Sequence, residues 1–288
     1  MTQFIPTDEQ KAIINSQASA LVDAGPGTGK TRTAVEKAYY ELCKLHDDSH
    51  QNILFLSFSN ASLYRLMNAW KVELPTRFKR KVRFRTYHAA ALEILRNYGR
   101  FVNLPPTIKV MDTLEEKLVS LELEWEQTNE DYQHNLIQFA KKTGLLAFST
   151  LLPLLTKLLE SSDTLRNIIG RGYKLIIVDE FQDTSKAQWH FLRILGENTQ
   201  VVAFGDPNQI IYSSLHAATA KRFDEFCEWK GIDISEFSST NFRCDGAEIL
   251  DFAKALLKGK PYREEADSRV QLIDIKYRNR LVSYLALI

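Results

Sequence analysis

The feature that most restricts the fold is a short apolar run, residues 20–23, that stops at a glycine-rich loop and resumes as a helix. The loop reads Ala24-Gly25-Pro26-Gly27-Thr28-Gly29-Lys30-Thr31, and Val35 and Ala38 carry the helix onward. Glycines let the loop's backbone N–H groups converge on phosphate oxygens at a helix amino terminus. Lys30 supplies countercharge for the β and γ phosphates, and the Thr31 hydroxyl is a ligand for Mg²⁺. Ala24 stands where the pattern usually has its first glycine, which leaves the order of strand, loop and helix intact. A nucleoside triphosphate with Mg²⁺ is the expected ligand.

Further strand-like runs occur at 53–58, 82–86, 175–178, 201–204 and, more weakly, 232–237, with helix-like segments between them. Apolar strands alternating with helices predict an α/β fold, a mainly parallel sheet flanked by helices on both faces. Ligands on such sheets sit at the carboxyl ends of the strands, which is where the polar motifs begin. The alternation breaks over 99–166, where apolar residues follow helical spacing; this stretch reads as a helical insertion between two strands of one sheet. A strand at 270–275 and a helix from Arg278 open a further unit that the sequence does not complete.

Composition sets the outer limits. Of 288 residues, 44% are hydrophobic and 25% charged, enough to fill a core. The net charge of +1 excludes a basic coat for nucleic acid, so phosphate backbones would have to meet a local patch. One exists: Arg77, Lys79, Arg80, Lys81, Arg83 and Arg85 fall within nine residues without an acid. On a strand, Lys79, Lys81, Arg83 and Arg85 would share a face and form a phosphate rail, or simply a solvated sheet edge protected from aggregation. Residues 112–131 carry eight acids and one base, a solvated helix face or a docking surface for a partner. Cys43, Cys227 and Cys244 include no CxxC pair, which argues against a disulfide framework or zinc site and for a reducing, cytoplasmic setting. No run is long enough to span a membrane.

A phosphate loop does not choose among kinases, GTPases, ring ATPases and helicases. The second motif, Leu175-Ile176-Ile177-Val178-Asp179-Glu180, is an apolar strand ending in adjacent acids. Asp179 is placed to hold Mg²⁺ and Glu180 to polarise an attacking water. Its distance from Lys30 leaves room for an inserted domain.

The string Val178-Asp179-Glu180-Phe181-Gln182-Asp183-Thr184-Ser185 resembles the DExx box of the UvrD/Rep family of superfamily 1 helicases. The resemblance extends, in order, to other stretches of the chain. Pro6-Thr7-Asp8-Glu9-Gln10 is similar to the Q motif, Gly25 to Arg32 to motif I, Phe58-Ser59-Asn60-Ala61 to motif Ia and Thr86-Tyr87-His88 to motif Ib. Gly205-Asp206-Pro207-Asn208-Gln209-Ile210-Ile211-Tyr212 resembles motif III, and Asn241-Phe242-Arg243-Cys244 the core of motif IV.

The resemblance implies a RecA-like ATPase motor domain at 1–98 and 167–262, a helical insertion at 99–166, and the start of an incomplete second motor domain at 263–288. It implies ATP as the nucleotide, with Gln10 reading the adenine edge and Arg32 and Phe242 on its two faces. Gln209 becomes a γ-phosphate sensor and Arg243 a γ-phosphate arginine. Plain alternatives stand beside these roles: Gln209 capping a turn, Phe242 in a core, Arg243 in a surface ion pair. Single-stranded DNA is implied against Phe58, Asn60, Thr86, Tyr87, His88 and Tyr212, with His88 alternatively capping the following helix. The implied activity is ATP-driven movement on DNA, 3′ to 5′, in repair, replication restart or defence, alone or beside a nuclease or other subunit.

The sequence departs from the family at Tyr212-Ser213-Ser214-Leu215-His216, where Ser214 replaces a base-stacking Trp, and motifs V and VI are absent. A nucleotide-gated regulatory subunit with little turnover is therefore the competing expectation. A kinase-like transferase would need an acceptor site, for which no candidate residues stand out.

Overall fold

The computed structural model describes residues 5–46, 48–73, 75–125, 131–210 and 221–237, with Phe242, Phe252, Ala255 and Gly259 beyond them. They fall into two compact units. The first runs to Gly25 and resumes from Lys30 to Phe237; the second holds the loop 26–29 and the described positions beyond 237. The expected unit at 263–288 lies outside the described residues.

The first unit begins with α1 (Asp8–Asn15), β1 (Ala20–Asp23), α2 (Lys30–Cys43), β2 (Asn52–Ser57), α3 (Asn60–Glu73), β3 (Val82–Thr86) and α4 (Tyr87–Tyr98). There follow β4 (Lys109–Val110), α5 (Thr113–Glu122), α6 (Tyr132–Thr143), β5 (Leu145–Leu146), α7 (Leu151–Glu160) and α8 (Asp163–Arg171). It continues with β6 (Tyr173–Asp179), α9 (Lys186–Leu195), β7 (Gln200–Gly205), α10 (Lys221–Lys230) and β8 (Ile234–Glu236).

Six strands form one sheet in the order β3-β2-β6-β7-β1-β8, every pair parallel. This is the expected α/β architecture. Successive strand residues point to opposite faces, so the sheet carries two cores. Leu54, Leu56, Ile176, Val178, Val201 and Ala203 pack on one side, where α4, α7, α9 and α10 contribute. Ile53, Phe55, Leu175, Ile177, Val202 and Phe204 pack on the other, against α2 and α3. Burial on both faces explains why these strands read as continuous apolar runs.

The register gathers the functional ends. Ser57 pairs with Asp179, and Asp23 with Gly205, so four strands finish level at one edge. Between β3 and β6 the described residues are mainly helical, and they also contain the short parallel pair of β4 and β5. Two residues per strand are too few for a period-two signal. The leucines of α7, among them Leu151, Leu154, Leu155 and Leu158, join the same core as α4 and α9. Among the described residues no helix is long and apolar enough to cross a membrane.

Candidate nucleotide site and nucleic-acid interface

The phosphate loop follows β1 and ends at Lys30, the first residue of α2. Gly27 and Gly29 take φ of 79° and 89°, left-handed values that a Cβ would strain. Lys30 Nζ donates to the carbonyls of Ala24 at 2.6 Å and Gly25 at 3.4 Å. The Ala24 N–H donates to the Gly205 carbonyl at 3.0 Å, tying the end of β1 to that of β7. Within the second unit, the Phe242 N–H donates to the Gly27 carbonyl at 2.8 Å. The Phe242 side chain is exposed, so it is not a core residue. Arg243 and Tyr212 lie outside the described residues.

Gln10 is almost fully buried, and its side-chain carbonyl accepts the Thr7 N–H at 3.0 Å in a capping box that starts α1. The structure thus gives Gln10 a helix-starting role. Arg32 lies 3.5 Å from Glu36, one turn along α2.

Asp179 ends β6 in a buried position. Burial, then the charge of Glu180, pushes its carboxyl up to about 6, with Lys30 and Arg65 pulling the other way. Asp23 is also raised, first by burial and then by Asp206. A buried acid whose ionisation is resisted suits a divalent cation. Thr31 and Asp179 supply hard oxygens of the kind Mg²⁺ takes, and Mg²⁺ usually keeps several waters and phosphate oxygens besides. The described residues contain no cluster of three or more His, Cys, Asp or Glu side chains able to hold a metal.

Glu180 adopts φ 53°, ψ 46°, a left-handed backbone uncommon for a residue with a Cβ and typical of functional sites. Gln182 holds its side chain. Gln182 Nε2 donates to Glu180 Oε2 at 2.8 Å, while Gln182 Oε1 accepts the Asp206 N–H at 3.1 Å. Only this amide orientation satisfies both partners. Asp206 in turn accepts the Asn208 N–H at 2.9 Å and Gln209 Nε2 at 2.6 Å. A polar chain therefore links the expected catalytic Glu180 to the expected sensor Gln209. Gly205 makes room for it, since a Cβ there would meet Gln182 Oε1 at 3.1 Å and Phe223 Cζ at 2.8 Å. The other Glu180 oxygen, Oε1, lies 3.6 Å from Arg65. Sequence reasoning assigned no role to Gln182 or Arg65; the strand-end position of Gln182 was the available signal, and Arg65 offered none.

Of the expected single-strand contacts, Phe58 is half-buried just past β2 and Asn60 is exposed at the start of α3. Thr86 caps α4, its hydroxyl accepting the Ala89 N–H at 3.2 Å. Tyr87 corrects the expectation. It is 1% exposed and packs edge-on against Phe191 in the core, because the first residue of α4 turns its side chain under the sheet. His88 stacks on Phe148, centroids 3.9 Å apart, and Phe148 is 54% exposed. Phe148 is an aromatic surface that sequence reasoning missed.

The basic segment also differs from expectation. β3 starts at Val82, so Lys79 lies in an exposed turn and Lys81 precedes the strand, donating to the Ser49 carbonyl. Arg83 and Arg85 both pair with Glu93, at 2.9 and 2.7 Å. The four cations do not form one strand face. β3 is one edge of the sheet, where such charges also discourage pairing with another chain.

The six-stranded parallel sheet, with helices on both faces and polar motifs at the carboxyl ends of its strands, defines an α/β protein of the RecA-like P-loop class. The family model described as the UvrD/REP helicase N-terminal domain matches residues 6–142 and 120–227, and the chain belongs to that family. It is 23% identical to a probable DNA helicase II homolog of Mycoplasma capricolum, over 89% of this chain and 41% of the relative. It is 23% identical to the ATP-dependent DNA helicase Rep of Buchnera aphidicola (subsp. Baizongia pistaciae), over 86% of this chain and 42% of that protein. Over 41% of its length it is 32% identical to the RecBCD enzyme subunit RecB of Buchnera aphidicola (subsp. Schizaphis graminum), covering 9% of that protein. The chain thus spans well under half the length of these relatives.

Proposed function

We propose that the chain is the ATP-binding half of a UvrD/Rep-type DNA helicase or translocase, hydrolysing ATP in response to single-stranded DNA. The observation that carries this reading is the continuous polar chain from Glu180 through Gln182 and Asp206 to Gln209 at the strand ends beside Lys30. Family membership supports it, as do relatives named as ATP-dependent DNA helicases.

In this reading Glu180 orients the attacking water and Gln182 fixes the carboxylate's direction. Lys30 leaves the Ala24 carbonyl for the β and γ phosphates, and Gln209 senses the γ-phosphate. Thr31 and Asp179 would hold Mg²⁺, which when bound neutralises charge developing on the transferred phosphoryl group. Arg243 adds a second cation there, while Arg32 and Phe242 take the adenine. Phe58, Asn60 and the His88–Phe148 stack meet the single strand, travel being 3′ to 5′ by family likeness. The likeness to a RecBCD subunit supports a nuclease or other subunit as partner.

A second reading, a nucleotide-gated regulatory subunit, is favoured by Ser214 in place of the family's stacking Trp. ATP hydrolysis with and without single-stranded DNA, beside a Glu180→Gln control, separates the two. Stimulated turnover that the control abolishes supports the motor; tight ATP binding without turnover supports the regulator.

A further inference from the structure

Phe58, Ser59, Ser62 and Arg65, from the turn after β2 and the first turns of α3, line a cavity of about 180 Å³ together with Glu180 and Gln209. Phe58 belongs to the expected single-strand interface and Glu180 to the expected hydrolytic centre, so the cavity adjoins both. Arg65 stands between them. Its guanidinium donates to Ser62 Oγ at 3.0 Å and lies 3.6 Å from Glu180 Oε1. The opposite carboxylate oxygen is taken by Gln182, itself fixed by Asp206.

The two holds on Glu180 differ in kind. Gln182 is buried and neutral, with both amide ends satisfied, so it sets the direction of the carboxylate. The Arg65 side chain is 62% exposed, and 3.6 Å is too long for a hydrogen bond. That contact is charge attraction at a wet surface, where ion pairs are weak and readily exchanged. A nucleic-acid phosphate offers the same charge, two oxygens for the guanidinium fork, and release of counterions.

We infer that Arg65 exchanges Glu180 for a backbone phosphate of bound single-stranded DNA, freeing the carboxylate to orient water, so that strand binding itself switches on hydrolysis. The inference rests on the reading of the site as a DNA-stimulated ATPase.

The test is a double-mutant cycle on the full chain, with oligothymidylate affinity measured across a salt series. Glu180→Gln should tighten binding about two- to fivefold by releasing Arg65. Arg65→Ala should lower the log–log salt slope by about 0.7, one phosphate's worth for a single strand, and Arg65→Lys should restore it. In the Arg65→Ala background, Glu180→Gln should have no effect. Arg65→Ala should also raise ATP turnover without DNA and shrink its stimulation. Additive effects of the two substitutions, or an unchanged salt slope, overturn the exchange. So does Arg65→Ala weakening ATP binding alone, which would assign Arg65 to the nucleotide. Coupling in strand binding without any ATP turnover would sink the ATPase reading while the exchange stands; stimulated turnover without coupling would do the reverse.

Discussion

The side-chain carbonyl of Gln182 accepts the backbone N–H of Asp206 at 3.1 Å, and through this bond the acid motif after β6 and the polar turn after β7 become one structure. Both residues are buried. Removing the amide strands a backbone donor without water, which costs about 1–3 kcal/mol. Gln182→Ala should lower unfolding free energy in urea by that amount. It should also slow ATP turnover by freeing Glu180, with ATP affinity little changed. Gly205→Ala should produce the same pair of effects, because its Cβ would press on Gln182 Oε1 and Phe223.

Asp179 gives a pH signature. Burial and Glu180 raise its carboxyl to about 6 from an ordinary 3.8, so the folded state binds this proton more tightly than the unfolded chain does. The resulting stability is fully present below about pH 4 and is lost as pH rises through about 6. Two units at 1.36 kcal/mol each amount to about 3 kcal/mol. Asp179→Asn should therefore be more stable than the parent at pH 7 by up to about 3 kcal/mol, and no more stable at pH 4. ATP hydrolysis should disappear in the same variant. Urea titrations at the two pH values check the sign, and equal differences at both would remove burial as the cause.

Much of this was legible in the sequence, for reasons the structure makes plain. β1, β2, β6 and β7 are buried on both faces, so each appears as an apolar run with its polar motif at the carboxyl end. Parallel pairing then fixes where those motifs meet. What escaped notice depends on directions that only the fold sets. Arg65 reaches Glu180 across more than a hundred residues, and no local pattern marks it. Tyr87 sits in a motif beside a basic segment, yet the first turn of α4 points it inward. Lys79 and Lys81 fit a period of two, but the strand begins after them. Gln182 and both its partners stood in quoted motifs, but that its amide joins Glu180 to Asp206 depends on where the ends of β6 and β7 meet.

Tyr87 and Phe148 should behave in opposite ways. Tyr87→Ala empties a core site and should cost about 3–5 kcal/mol of stability, while Tyr87→Phe should leave single-strand affinity unchanged. Phe148→Ala should barely alter stability, since the ring is largely in solvent. It should weaken single-strand binding by about 1–3 kcal/mol if a base stacks there. Chemical denaturation and fluorescence anisotropy on the same variants separate the two residues, and unchanged affinity for Phe148→Ala would take that ring off the interface.

Further along α2, Lys37 and Glu41 form an ion pair at 2.7 Å with no solvent exposure. Lys37 Nζ also donates to the carbonyls of Ile14, at 3.2 Å, and Ser16, anchoring the link from α1 to β1. Burial pulls its ammonium below the ordinary lysine range in spite of Glu41. Breaking such a pair from one side leaves a buried charge and typically costs about 3–5 kcal/mol, whereas replacing both members with apolar residues is often neutral. Lys37→Met should fall toward the lower figure, because Gln17 still donates to Glu41 at 2.8 Å. Lys37→Met combined with Glu41→Leu should recover most of the loss, but not all, since the Ile14 and Ser16 carbonyls keep no ammonium. Urea unfolding of these two variants and of Glu41→Leu alone measures the cycle. Amide hydrogen exchange in α1 should be faster in both Lys37 variants, and unchanged exchange would show that the lysine stabilises α2 without anchoring α1.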